Sequence, residues 1–170
     1  MQSRLTDEGS ILLRPIDSND EDFLLRVFAS TREAEREAAQ WDDGKWDAFV
    51  RMQSSCRKEH YERHFPGAER RIVVHSDEPV GHIWVWRTET EIRLLDLAIL
   101  PSHRNAGIGS RLIRDLQDEA THSGKPIRHM VERDNRAAMR LYRRLGFVAL
   151  EEQGMYVQME WRPSTGGASE

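Results

Sequence analysis

The chain has 170 residues, 38% hydrophobic and 32% charged, with 25 Lys and Arg against 29 Asp and Glu for a formal net charge of −4. Those proportions fit one globular domain whose core needs no disulfide or structural metal, and they exclude a collagen-like, coiled-coil-only or wholly disordered chain. The acidic balance argues against general nucleic-acid binding, no stretch approaches the length of an apolar membrane span, and the single Cys56 forbids an intrachain disulfide and points to a reducing, cytoplasmic setting.

A short strand over Ile11 to Ile16 comes first, closed by the capping types Asp17, Ser18 and Asn19. Helices are expected from about Asn19 to Ser30, Thr31 to Gln40 and Lys45 to Phe65, the last with Trp46, Phe49, Val50, Gln53, Cys56, His60 and His64 at three- and four-residue steps. Pro66-Gly67 stops it. The period then falls to two over Arg71 to His75, Val80 to Arg87 and Glu91 to Leu100, three consecutive antiparallel strands, the first pair joined through Ser76 to Pro79. Helical spacing returns with Ile108, Leu112, Ile113, Leu116 and Ala120, ending near Ser123-Gly124. A strand at Pro126 to Glu132, a helix at Asn135 to Leu145 with Ala138, Leu141, Tyr142 and Leu145 inward, a left-handed Gly146, and strands at Phe147 to Glu151 and Met155 to Trp161 complete the order. The fold class is therefore α+β, a single domain over 11–162, with 163–170 expected to be a disordered tail.

The segment from Leu97 to Ser110 carries most of the chemistry, because a strand feeds a glycine-containing loop that opens into a helix. The first N–H groups of a helix lack intrahelical partners and sit at the positive end of its dipole, so a phosphate can be held by backbone alone. Gly107 and Gly109 keep side chains out of its way, although a tight strand-to-helix turn also asks for glycine. The spacing has neither the three glycines of a dinucleotide fold nor the Gly-Lys-Ser/Thr of a P-loop. From His103 to Arg144 ten Lys and Arg face five acids, net +5, leaving fifteen basic and twenty-four acidic residues, net −9, elsewhere. A polyphosphate ligand suits that asymmetry, as does an ordinary solvated basic helix face.

Arg104-x-x-Gly107-x-Gly109 resembles the Arg/Gln-x-x-Gly-x-Gly/Ala loop of the GNAT N-acetyltransferase superfamily, and Asn135-x-x-Ala138-x-x-Leu141-Tyr142-x-x-x-Gly146-Phe147 resembles its second signature. The likeness covers Glu91 to Trp161 closely and the N-terminal half by element order alone. It implies the acyl-CoA N-acyltransferase fold, α/β in the wider sense, with a mixed, mostly antiparallel sheet of about seven strands and flanking helices. It implies acetyl-CoA as cosubstrate, with no metal, and direct transfer of the acetyl group to a primary amine. The pyrophosphate would lie on Arg104, Asn105, Ala106, Gly107, Ile108, Gly109 and Ser110, the pantetheine along Leu97, Ala98 and Ile99, and the cofactor arm against Asn135. An amide near Leu97 would polarise the thioester carbonyl, and Tyr142 would protonate the departing thiolate, unless it is simply a core aromatic.

For the base, Asp96 and Glu132 are candidates, with an ion pair to Arg93 or Arg14 as the other explanation of Asp96. Met130 stands where relatives that acetylate protein N-termini carry a glutamate, which weakens that acceptor class. His60 and His64 lack the third ligand of a metal site, and Cys56 reads as a small buried hydrophobe. Trp41, Trp46, Trp84 and Trp86 are read either as lining an acceptor pocket or as core and subunit contacts, and with the superfamily's habits they leave a homodimer open. Two rival readings stand beside N-acetyl transfer: a non-catalytic acyl-CoA-binding module and a transferase for a longer acyl group.

Overall fold

The computed structural model describes residues 9–164, so Thr165 to Glu170 of the expected tail lie outside the described residues. The elements run β1 (Ile11–Pro15), α1 (Glu21–Ser30), α2 (Glu33–Ala39), α3 (Asp43–His64), β2 (Glu69–His75), β3 (Glu78–Arg87), β4 (Ile92–Ile99), α4 (Ile108–Ser123), β5 (Ile127–Glu132), α5 (Arg136–Arg144), β6 (Val148–Gln153) and β7 (Tyr156–Trp161). Single 3-10 turns at Ser18–Asp20 and Pro101–His103 precede α1 and follow β4. The strands form one sheet in the order β1-β2-β3-β4-β5-β7-β6, antiparallel except between β4 and β5.

Element starts and stops follow local chemistry. Asp17 accepts from the Asn19 amide, Asp20 returns a bond to the Asp17 amide, and Asp42 caps α3 through the Lys45 amide. Gly107 and Gly124 flank α4 in left-handed conformations, at φ +80° and +67°. The connection between β2 and β3 is two residues rather than the expected four: Ser76 and Asp77 both take positive φ, as the twist of a tight hairpin requires.

Helices cover both faces of the sheet. On one, α4 and α5 bury Ile108, Leu112, Ile113, Leu116, Met139 and Tyr142 against Val73, Ile83, Ile92, Leu94, Ile127 and Val131. On the other, Phe23, Leu24 and Val27 of α1 pack on Ile72 and Ala98, and Phe28 of α1 meets Trp46 and Val50 of α3. The rest of α3 buries little, because past Val50 it spans a hollow instead of the core. Cys56 is accordingly exposed, not the buried hydrophobe its position on the helix suggests.

Two irregularities shape the centre of the sheet. The β3–β4 register steps from Trp84↔Asp96 to Val85↔Leu94, so Leu95 bulges without a partner. The β4–β5 ladder ends after three pairs, at Leu94↔His129, and the strands part beyond it. At that end His129 Nδ1 lies 2.7 Å from the Leu94 carbonyl, putting a buried imidazole where the next backbone donor of the ladder would stand.

Candidate active site

Where β4 and β5 separate, a cavity of about 600 Å³ opens through the sheet. Tyr142, Asn135 and Ala138 of α5 reach it from one face, and Phe28, Arg32, Arg57 and Tyr61 close it from the other. Asp96, Leu97, Met130 and Glu132 lie on its strand walls. Tyr142, Asp96, Glu132, Asn135 and Leu97, proposed from sequence as site residues, thus share one cavity.

Tyr142 is 3% exposed, edge-on to Phe147 at 5.3 Å between ring centroids and 4.7 Å from His129. Burial, with a smaller push from the charge of Asp96, raises its hydroxyl well above the ordinary tyrosine range, so it stays protonated. Among the described residues that hydroxyl has no hydrogen-bond partner, and the ring lines the cavity. Asn135 caps α5 by accepting from the Ala138 amide at 3.1 Å, which commits its carbonyl and leaves its NH2 to the cavity.

Asp96 does not meet Arg93 or Arg14. Arg14 forks onto Asp20 with two 2.7 Å bonds, and Arg93 lies against Glu91. The bulge at Leu95 and the β3 register bring His82 to 3.1 Å and α3 brings Arg57 to 3.2 Å of the Asp96 Oδ2. His82 accepts from Arg70 Nε at its Nδ1, so its Nε2 carries the hydrogen that it donates to Asp96. Burial keeps His82 neutral by lowering its pKa. Burial alone would raise that of Asp96, but the facing His82, Arg57 and Arg70 outweigh it and hold the carboxyl below its ordinary range. Glu132 is more accessible, its side chain 41% exposed and 3.6 Å from Arg32.

The loop residues stand outside this cavity, at the end of β4. Leu100 donates its amide to Val80 on β3, and strand alternation turns the Ala98 backbone the same way, leaving Leu97 and Ile99 facing the gap. The side chain of Ala98 is spent on the α1 core, and the Ile99 carbonyl accepts from Arg104 Nε at 2.8 Å. Arg104 also reaches the Ser30 carbonyl at the end of α1, so it ties the loop to the opposite helix layer. Asn105 and Gly107 both adopt left-handed conformations, Ile108 buries its side chain, and the N-terminus of α4 has no side-chain cap. Arg144 of α5 adds a guanidinium there, 3.3 Å from Ser110 Oγ.

Of the two readings of the tryptophans, pocket lining does not hold, since none lines the cavity, and Trp46 and Trp84 are core residues. The aromatic walls are Phe28, Tyr61, Phe65, Tyr142 and Tyr156. Tyr61 donates to the Leu95 carbonyl at 3.0 Å, holding the bulge from α3, and burial next to Asp96 pushes its pKa up to about 12. Among the described residues no cluster of three His, Cys, Asp or Glu is placed to hold a metal, and no helix is long and apolar enough to cross a membrane.

A parallel pair splayed by a bulge, beside an uncapped helix start, agrees with what the two sequence signatures imply, and the model of the acetyltransferase (GNAT) family matches residues 27–147. The chain belongs to that family. Solved GNAT structures share its fold. The PaiA N-acetyltransferase of Thermoplasma acidophilum, in complex with coenzyme A, is 19% identical over 90% of this chain and 99% of that one, with a TM-score of 0.69. An acetyltransferase from Thermus thermophilus is 18% identical over 92% and 98%, TM-score 0.64. The Campylobacter jejuni N-acetyltransferase PseH, in complex with acetyl coenzyme A, is 15% identical over 91% and 100%, TM-score 0.58. No curated protein matches the sequence.

Proposed function

We propose that this acetyltransferase moves the acetyl group of acetyl-CoA directly to a primary amine. The observation that carries the reading is the protonated Tyr142 hydroxyl, without a partner among the described residues, on a cavity that opens where β4 leaves β5. Acetyl-CoA fits the elements around it. The free amides at the start of α4, with Gly107 and Gly109, take the pyrophosphate, and the backbone of Leu97 and Ile99 runs along the pantetheine. CoA and acetyl-CoA bound to GNAT neighbours support the same cosubstrate.

The amine nitrogen attacks the thioester carbonyl carbon from the side covered by α1 and α3, and the amide of Leu97 stabilises the developing oxyanion. The C–S bond then breaks as the CoA sulfur takes the Tyr142 proton, the Tyr142 phenolate regains a proton from solvent, and the surplus proton on the acetylated nitrogen passes to a base. Glu132 suits that last role through water, since Asp96 is already committed to His82 and Arg57. Cys56 lines the cavity but, among the described residues, makes no hydrogen bond to a base, in keeping with direct transfer.

Tyr142→Phe is expected to lower kcat by about tenfold or more with unchanged acetyl-CoA affinity, measured by thiol release and calorimetry. Unchanged turnover would remove the acid role. Glu132→Gln is expected to lower kcat by about tenfold or more with acetyl-CoA affinity unchanged, and unaltered turnover assigns the base elsewhere. Acetyl-CoA affinity with no thiol release across a broad amine panel would favour the binding-module reading, and a succinyl-CoA rate above the acetyl-CoA rate the longer-acyl one.

A further inference from the structure

We infer that the acceptor is an amine that also carries a carboxylate, and that Arg93 receives the carboxylate at the closed end of the β4–β5 gap. The inference rests on the N-acetyltransferase reading and narrows its acceptor. Four arginines line the cavity: Arg32, Arg57, Arg93 and Arg128. Three are committed by hydrogen bonds. Arg57 holds Asp96, Arg32 holds Glu35 at 2.7 Å, and Arg128 holds Glu160 at 2.9 Å and Glu91 at 2.8 Å.

Arg93 differs from them. Its only ion contact among the described residues is Nη2 to Glu91 Oε1 at 2.9 Å, on a carboxylate it shares with Arg128, and its Nε is buried with no hydrogen-bond partner. The rest of the guanidinium is open to the cavity, its side chain 27% exposed, and with no hydrogen bond among the described residues it keeps Nη donors for an incoming acceptor. Arg93 and Arg128 are also direct cross-strand partners in the last stretch of β4–β5 ladder, a like-charge pair in which Arg93 has only the Glu91 it shares, while Arg128 has Glu160 as well.

The placement fits a substrate role. Arg93 precedes by one residue the point where the ladder ends and the gap opens, and its guanidinium lies 5.8 Å from the Phe65 ring on the wall formed by α3. An anion bound there leaves the amine of the same molecule free to reach the gap beside Tyr142. The planar guanidinium fork matches a carboxylate, and one incompletely matched cation suits one negative charge better than a doubly charged phosphate. A di- or polyamine would instead bring a second ammonium against Arg93 and Arg128, which repel it.

Matched pairs that differ by the carboxylate test this by calorimetry on the CoA-saturated protein, where no turnover occurs: phenylalanine against phenethylamine, lysine against cadaverine, 4-aminobutyrate against propylamine. The expected result is at least tenfold tighter binding of the acid-bearing member in one pair or more, falling below threefold in Arg93→Gln and in Arg93→Lys, which keeps the charge but loses the fork. Equal or weaker binding of the acids in every pair, no binding of either member, or a preference that survives in a folded Arg93 variant overturns it. The wild-type comparison decides even where a variant fails to fold. Tight, Arg93-dependent binding with no thiol release after acetyl-CoA replaces CoA would sink the transferase reading and leave the carboxylate site standing.

Discussion

Gly109 shows how a single residue separates folding from ligand binding. It lies inside α4, where glycine is about 1 kcal/mol less favourable than alanine, and a Cβ built on it would meet nothing closer than Leu141 Cδ2 at 3.8 Å, an ordinary contact. The protein's own packing therefore gives no reason for glycine there. Close approach of a phosphate to the first-turn amides does. Gly109→Ala is expected to leave the melting temperature unchanged or raise it while weakening acetyl-CoA binding tenfold or more, read by thermal melts and calorimetry on one preparation. Unaltered affinity would detach Gly109 from the phosphate. Gly107 is different, since its φ of +80° strains any side chain whatever the space, so its substitution mixes both effects.

At the level of elements, the gap depends on β3, the strand read from sequence over Val80 to Arg87. Gly81 of β3 sits so close to β4 that a Cβ would run into the Ala98 carbonyl oxygen and approach Ile99 Cδ1 at 2.8 Å. Both neighbours belong to the strand whose far edge faces the pantetheine in the proposed complex. Gly81→Ala is expected to destabilise the fold by about 1–3 kcal/mol, the range of overpacked cores, and to weaken acetyl-CoA binding because β4 must shift. Wild-type stability in urea would show that β4 yields without cost. Elements with strong local signals were legible: α4 and α5 show a 3.6-residue apolar spacing, and Gly124 and Gly146 take the left-handed conformations their positions ask for. What was not legible is long-range. The partners of Asp96 come from a register and from a helix 39 residues away, which proximity along the chain to Arg93 could not reveal. The spacing of Cys56, His60 and His64 reads as a buried helical face, but Cys56 and His60 look into a cavity and His64 is exposed, and periodicity cannot tell a cavity from a core. For the same reason Arg93 read as an ion partner for Asp96 and lies against Glu91 instead, and its unpartnered Nε exists only once every neighbour is in place.

Over the whole molecule, charge is divided against itself. The formal net charge of −4 should repel polyanionic acetyl-CoA, yet the stretch from His103 to Arg144 carries +5 and contains both the α4 loop and Arg144 beside Ser110. Which dominates depends on distance. At about 0.01 M ionic strength the screening length of about 30 Å lets the entire molecule act on the ligand, whereas at about 0.15 M only charges within about 8 Å remain strong. If the basic α4–α5 layer steers the ligand, its proximity outweighs the more distant acids and the association rate falls as salt rises. The expected outcome in stopped-flow measurements is a several-fold drop in that rate between the two conditions, reduced in Arg144→Gln. A rate that climbs with salt would mean that the acidic remainder governs the encounter and that the basic residues of α4 and α5 form only a solvated surface.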